Sequence, residues 1–182
     1  MTRDPRPQVE FGRPVCAEQI GERGTVHELT ANEAERAALV RRFGLVSLER
    51  LTATVRLRQI KKGLVKVTGQ FVADLAQRCV VTLEPVPAHL AEEFSVLFCA
   101  RPARAGRDVV VTAEAEDPPE PMAGGWIDLG ETVVQQFAIA LDPYPRVPGA
   151  TIPAEFAVEG VDKDERRKTS PFAILAARRI GR

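Results

Sequence analysis

A single α+β domain, an antiparallel sheet packed with two or more helices, is the fold class this sequence predicts, and three observations predict it. A capped amphipathic segment opens near residue 30, a run of apolar and polar alternation follows from the fifties into the seventies, and a second capped amphipathic segment starts at Asp128. At 182 residues the chain is long enough to bury about two-thirds of its extended surface. Its 45% hydrophobic and 27% charged residues are those of a protein with a real core.

The first helix follows from "TANE", Thr30 to Glu33, which has the spacing of a capping box: a hydroxyl and a carboxylate that each satisfy an orphan backbone donor. Ala34, Ala37, Ala38, Leu39 and Phe43 then form an apolar side, with Arg36, Arg41 and Arg42 opposite and Gly44 as a left-handed stop, so a helix is predicted over 31–43.

The period then changes to two. In "TATVRLRQIKKGLVKVTGQFVADL", Val55 and Leu57 alternate with Arg56 and Arg58, and Val65 and Val67 alternate with Lys66 and Thr68. Lys61, Lys62 and Gly63 between them supply charge and a residue free to take positive φ, so the two runs read as a hairpin with one apolar and one cationic face. Phe71, Ala73 and Leu75 continue the second strand. Further strands are predicted in "HLAEEFSVLFCA" (89–100) and "DVVVTAEAE" (108–116).

"EDPPEPMAGG" (116–125) is poor in residues that bury apolar area, and residues 112–125 read as an acidic loop. Asp128 caps the second helix, with Glu131 at the reciprocal box position, Val133, Val134, Phe137 and Leu141 on one side, and Pro143 ending it. The domain is expected over 1–150. Residues 151–182 read as a flexible tail with a short amphipathic helix at "SPFAILAARRI", where Ser170 is placed to cap and Pro171 to open the first turn.

Several function classes are disfavoured. No apolar run approaches the ~20 residues of a membrane helix, and the start "MTRDPRPQVEF" lacks the apolar stretch of a secretory signal, so a cytoplasmic protein without a membrane partner is expected. Cys16, Cys79 and Cys99 are odd in number and widely spaced, which argues against a disulfide framework. His27 and His89 stand in no recognisable catalytic motif, and there is no Walker loop, dinucleotide glycine motif or zinc helix. No enzyme, cofactor or small-molecule substrate is therefore expected; a cysteine-dependent enzyme is the remote third class. The 25 basic and 25 acidic side chains cancel overall but not locally. From Arg50 to Cys79 seven cations face one acid, Asp74, whereas from Glu84 to Glu131 ten acids face three arginines, which points to an oriented partner surface.

Three stretches in order, "CVVTLEPV" (79–86), "IDLGETVVQQFAIALDPYPR" (127–146) and "SPFAILAARR" (170–179), together resemble the YceD family of large ribosomal RNA subunit accumulation proteins. The resemblance rests on Cys79, Leu83, Glu84 and Pro85, on Asp128, Leu129, Gly130, Glu131, Pro143 and Pro145, and on Pro171, Phe172, Ala173 and Leu175. The family pattern carries an Arg and a second Cys where this chain has Val81 and Thr82, and members often carry a His and a Cys where "PRVPGATIPAEF" has neither. A tetrahedral metal site is not expected, and Cys79 reads as a small buried hydrophobe at a strand end with Pro85 terminating the pairing. The resemblance implies a non-catalytic factor for large-subunit ribosomal RNA accumulation or ribosome assembly, with ribosomal RNA or assembly proteins as partners. The candidate RNA-binding residues are Arg56, Arg58, Lys61, Lys62 and Lys66. The rival expectation is a protein-interaction adaptor that uses the acidic loop and C-terminal helix without touching RNA.

Overall fold

A computed structural model describes residues 9–100 and 118–151. The chain divides into two compact units, Met1–Val147 and Pro148–Arg182; of the second, residues 148–151 are described, a turn at Gly149. The first unit opens with β1 (Pro14–Cys16), a 3-10 turn (Ala17–Gln19), β2 (Thr25–Thr30) and α1 (Glu33–Phe43). Three strands of 15 residues each follow, β3 (Ser47–Lys61), β4 (Leu64–Arg78) and β5 (Pro85–Cys99). The short β6 (Glu120–Pro121) and β7 (Trp126–Asp128) lead into α2 (Leu129–Ala140).

The five-stranded sheet runs β2-β3-β4-β5-β6, antiparallel except for the parallel β5–β6 pair, and β1 pairs with β7 in a separate antiparallel ribbon. Together with the two helices this makes the α+β architecture that the alternation and the two caps predict. Because successive side chains on a strand point to opposite faces, Leu51, Val55 and Leu57 of β3 and Val65, Val67 and Phe71 of β4 all turn inward and are almost fully buried. Their polar neighbours stay in water.

Helix α1 starts later than the "TANE" reading placed it. The cap is Asn32, whose side chain accepts from the Glu35 N–H at 3.0 Å while the Asn32 N–H donates to the Glu35 carboxylate at 2.8 Å. Thr30 does not serve because it remains the last residue of β2, paired with Thr52, and the Ala31 N–H still donates to Leu51. The sheet holds the chain extended for two residues beyond the predicted cap, through Ala31 and Asn32. Gly44 supplies the expected left-handed stop at φ 63°.

Helix α2 buries Leu129, Val133, Val134 and Phe137. The Phe137 ring meets Phe43 of α1 edge-on at 5.6 Å and Phe71 of β4 at 6.3 Å, so this one side chain joins both helices to the sheet. Asp128 caps α2 by accepting from the Glu131 N–H at 3.0 Å, as the motif predicts. The Glu131 carboxylate, however, is drawn to Arg42 at 2.7 Å, and Arg42 also reaches Glu10 at 2.9 Å. This half-exposed cluster ties the last turn of α1 to the first turn of α2; screened by water, its value is modest.

Two further expectations are corrected. Residues 118–125 are not a structureless acidic loop: β6 pairs with Phe98 and Cys99, the Met122 N–H donates to the Cys99 carbonyl at 2.9 Å, and Met122 is buried. Backbone pairing along the β5 edge, with one buried methionine, supplies order that composition does not. Pro85 begins β5, opposite Arg78, rather than ending a pairing; a first strand position suits a residue without a donor. The predicted strand at 108–116 and the terminal helix lie outside the described residues. Among the described residues no helix is long and apolar enough to cross a membrane.

Candidate nucleic-acid interface

Partners in register project from the same face of a sheet, so the pairings define the open face row by row. Next to the hairpin tip Arg58 stands opposite Lys66, which is opposite Leu97; one row further in are Val26, Arg56, Thr68 and Ser95. Lys61 closes β3 and Lys62 lies in the turn, where Gly63 takes φ 75°. Arg56, Arg58 and Lys66 thus share one face, and all five predicted cations are exposed at this end of the sheet. Like charges directly opposite on a sheet oppose folding. Arg58 facing Lys66 is such a pair, and none of the five cations has an ion-pair partner among the described residues.

The patch has an edge. The third row places Glu28 and Glu93 at its two ends, with Thr54 and Gln70 between them. At the far end of the face Arg50, Asp74 and His89 form a closed cluster, in which Asp74 accepts from His89 Nδ1 at 2.6 Å and from Arg50 Nε at 2.7 Å. Those hydrogen bonds, from His89 first and then Arg50, hold the Asp74 carboxyl below its ordinary range. His89 is therefore a satisfied surface residue, and Arg50 is neutralised, unlike the cations at the tip. The acids were not legible as a boundary in the sequence, since Glu28 and Glu93 are far apart there and only the register aligns them.

The first two family-like stretches meet in space. Residues 79–84 form the turn between β4 and β5, closed by the Cys79 N–H donating to Glu84 and the Leu83 N–H donating to Cys79. Leu83 sits there at φ 64°, a left-handed conformation costly for a side chain of its size, with its side chain exposed. The Val80 N–H donates to the Pro145 carbonyl, so the turn docks on the segment after α2. Cys79 is buried, as expected, but it is more than a hydrophobe: its Sγ accepts from the N–H groups of Val81 at 3.4 Å, Thr82 at 3.3 Å and Val147 at 3.4 Å. Burial pushes the thiol up; the hydrogen bonds from Thr82, Val147 and Val81 outweigh it and bring it down from 9.0 to about 6. Among the described residues no group of three or more His, Cys, Asp or Glu side chains stands close enough to hold a metal ion.

A pH dependence follows. The folded thiol titrates near 6 and the unfolded one near 9.0, so the stability it contributes is complete above pH 9 and is lost as pH falls through 6. The difference in urea midpoint between wild type and Cys79→Ala should widen from pH 6 to pH 9. A constant difference across that range would show that Sγ is held as a neutral thiol.

Asp128, Leu129 and Gly130 hold the start of α2 in place. Asp128 Oδ1 accepts from the Arg13 N–H at 2.8 Å as well as from Glu131, and the Leu129 N–H donates to the Arg13 carbonyl at 3.0 Å. Gly130 lies against residue 11, where an added Cβ would stand 1.7 Å from the Phe11 carbonyl oxygen. Pro145 is buried at the Cys79 turn, whereas Pro143 is exposed; Pro171, Phe172, Ala173 and Leu175 lie outside the described residues. Residues 67–177 match the family model described as large ribosomal RNA subunit accumulation protein YceD. No curated protein and no solved structure matches the chain.

Proposed function

This chain belongs to the YceD family of large ribosomal RNA subunit accumulation proteins, and from that premise we propose that it is a non-catalytic, cytoplasmic factor that binds ribosomal RNA through the cationic end of its open sheet face. The observation that carries the reading is the pairing of Arg58 opposite Lys66, flanked by Arg56 and by Lys61 and Lys62 at the tip. A fold gains nothing from a repulsive pair on a rigid strand face, whereas a polyanion gains a preformed row of cations. Each phosphate neutralised releases counterions, so binding of this kind is steered by charge and weakened by salt. These contacts position an RNA without reading its bases.

The test is a titration of the intact protein against a transcript of large-subunit ribosomal RNA over a range of salt concentrations. The logarithm of affinity should fall linearly with the logarithm of salt, with a slope of about −2 to −4 for three to five phosphate contacts. Absence of binding at low salt would overturn the reading and favour an adaptor that promotes RNA accumulation through protein contacts alone.

A further inference from the structure

We infer that the RNA held by this face is base-paired, and that the protein grips a short stretch of its backbone bounded by the row of Glu28 and Glu93. The inference rests on the RNA-binding reading above and adds the class of RNA and the extent of the contact.

Besides charge, the cationic end of the open face offers aliphatic and hydroxylated side chains. Single strands are held by stacking unpaired bases on aromatic rings, a contribution of about 1–3 kcal/mol per base, alongside a cationic groove. Here the aromatic residues of the long strands, Phe71, Phe94 and Phe98, are all buried on the opposite, core-facing side. The rows around the cations hold Val26, Thr68, Ser95 and Leu97, aliphatic or hydroxylated side chains without a ring. A groove of about 900 Å³ beside the tip is likewise lined without one, by Lys61, Lys62, Leu64, Val65 and Met122 among others. The exposed rings among the described residues lie elsewhere: Trp126 on β7, Tyr144 after α2, and the His89 imidazole at the far end of the face, bonded to Asp74. An unpaired base brought to the cationic end of this face would meet aliphatic carbons and have only the Arg56 and Arg58 guanidinium planes, and no aromatic ring among the described residues, to stack on. A duplex keeps its bases stacked on one another and presents only phosphates and 2′-hydroxyls, which are what a row of cations, threonine and serine can bind.

Rigidity and spacing also favour a duplex. Arg58 and Lys66 are neighbours across two hydrogen-bonded strands, ~5 Å apart at the backbone, and Arg56 lies two residues along β3 from Arg58, ~7 Å away. Long β3 and β4 fix those separations. A duplex is the form of RNA whose neighbouring phosphates are also fixed, so no strand entropy is lost in matching them.

Two carboxylates set the limit of the contact. Past the Arg56 row the next row opposes phosphate with Glu28 on β2 and Glu93 on β5. Neither carboxylate has an ion-pair partner among the described residues, so their field is uncompensated. The footprint on this face then ends after two rows and the tip, and the phosphate count stays at three to five.

The experiment uses the full chain and two probes carrying equal numbers of phosphates: an RNA hairpin of about 16 base pairs, the length over which shape-reading modules span two minor grooves, and an unstructured uridine-rich strand. The hairpin should bind about tenfold or more tightly than the single strand, given the missing stacking, and scrambling its stem sequence should leave affinity unchanged. Glu93→Lys should tighten hairpin binding several-fold at low salt and steepen the slope by about one unit, because it adds a phosphate contact where the edge now repels one. Single-strand affinity equal to or above that of the hairpin would overturn the base-paired assignment while leaving RNA binding in place. An unchanged slope in Glu93→Lys would overturn the boundary. Binding of neither probe, and of no ribosomal RNA transcript, would instead remove the RNA reading on which the inference rests.

Discussion

Replacing Arg56, Arg58, Lys61, Lys62 and Lys66 together by Gln is expected to lower ribosomal RNA affinity about a hundredfold at low salt and to flatten the salt slope by roughly two to three units. All five side chains are exposed and none caps a helix or joins a buried network. Exposed substitutions of that kind change stability by about half a kcal/mol or less. The Arg58–Lys66 repulsion would also vanish, so the urea midpoint should stay constant or rise slightly. The two measurements are expected to move apart, affinity down and stability level or up, which is the mark of residues kept for binding rather than for folding. Circular dichroism establishes the folded state before the titration. An unchanged affinity and slope in a folded variant would clear this face of any part in RNA binding.

The largest expected effect on stability comes from a single methyl group. Gly130→Ala places a Cβ 1.7 Å from the Phe11 carbonyl oxygen, an impossible contact, so either the start of α2 or the segment at residue 11 must shift. Both are held: the Arg13 N–H is bonded to Asp128, and the Leu129 N–H to Arg13. We expect a loss of about 3 kcal/mol, the upper end of the cost of overpacking, and a fall in Tm of roughly 6–12 °C for a chain of this length. Gly21→Ala is the control, because a Cβ there meets nothing within 4 Å and the backbone is not left-handed. A Gly130→Ala Tm within a degree of Gly21→Ala would mean that the two segments are not in contact in solution.

Much of this architecture is written in local patterns. The alternation of Val55 and Leu57 with Arg56 and Arg58 is enough to fix which of these residues turn inward, because successive residues of a regular pleated stretch face opposite sides; the register shifts at Leu48/Arg50 and Gln59/Lys61 lie outside it. The Asp128 cap and the Gly63 turn are likewise local, and they appear where the sequence puts them. What escaped reading depends on partners distant in the chain. Thr30 has the chemistry of a cap but is claimed by Thr52 on β3. Pro121 and Met122 look unstructured until Cys99 offers a strand edge. Cys79 shows its three donors only when Val147, 68 residues away, is folded against it. The acidic edge of the candidate interface is of the same kind, since Glu28 and Glu93 share a row only through two intervening strands.

The ribbon of β1 and β7 bears on how the molecule opens. β3, β4 and β5 are consecutive in sequence and pair with their immediate neighbours, so their contacts close short loops and form early. β1 and β7 pair residue 14 with residue 128 across three rungs, and only after nearly the whole unit has been traversed. That closure carries the highest loop entropy for only three rungs. Asp128 belongs to it at every level, as a rung opposite Pro14, as the acceptor for Arg13 and as the cap of α2. Rupture of the ribbon would therefore release residues 9–16 and fray α2 in one step, while the meander stays paired. Amide exchange should divide along that line, with β3–β5 protected to the level of global unfolding and β1, β7 and the first turn of α2 exchanging together as a separate, less stable cooperative unit.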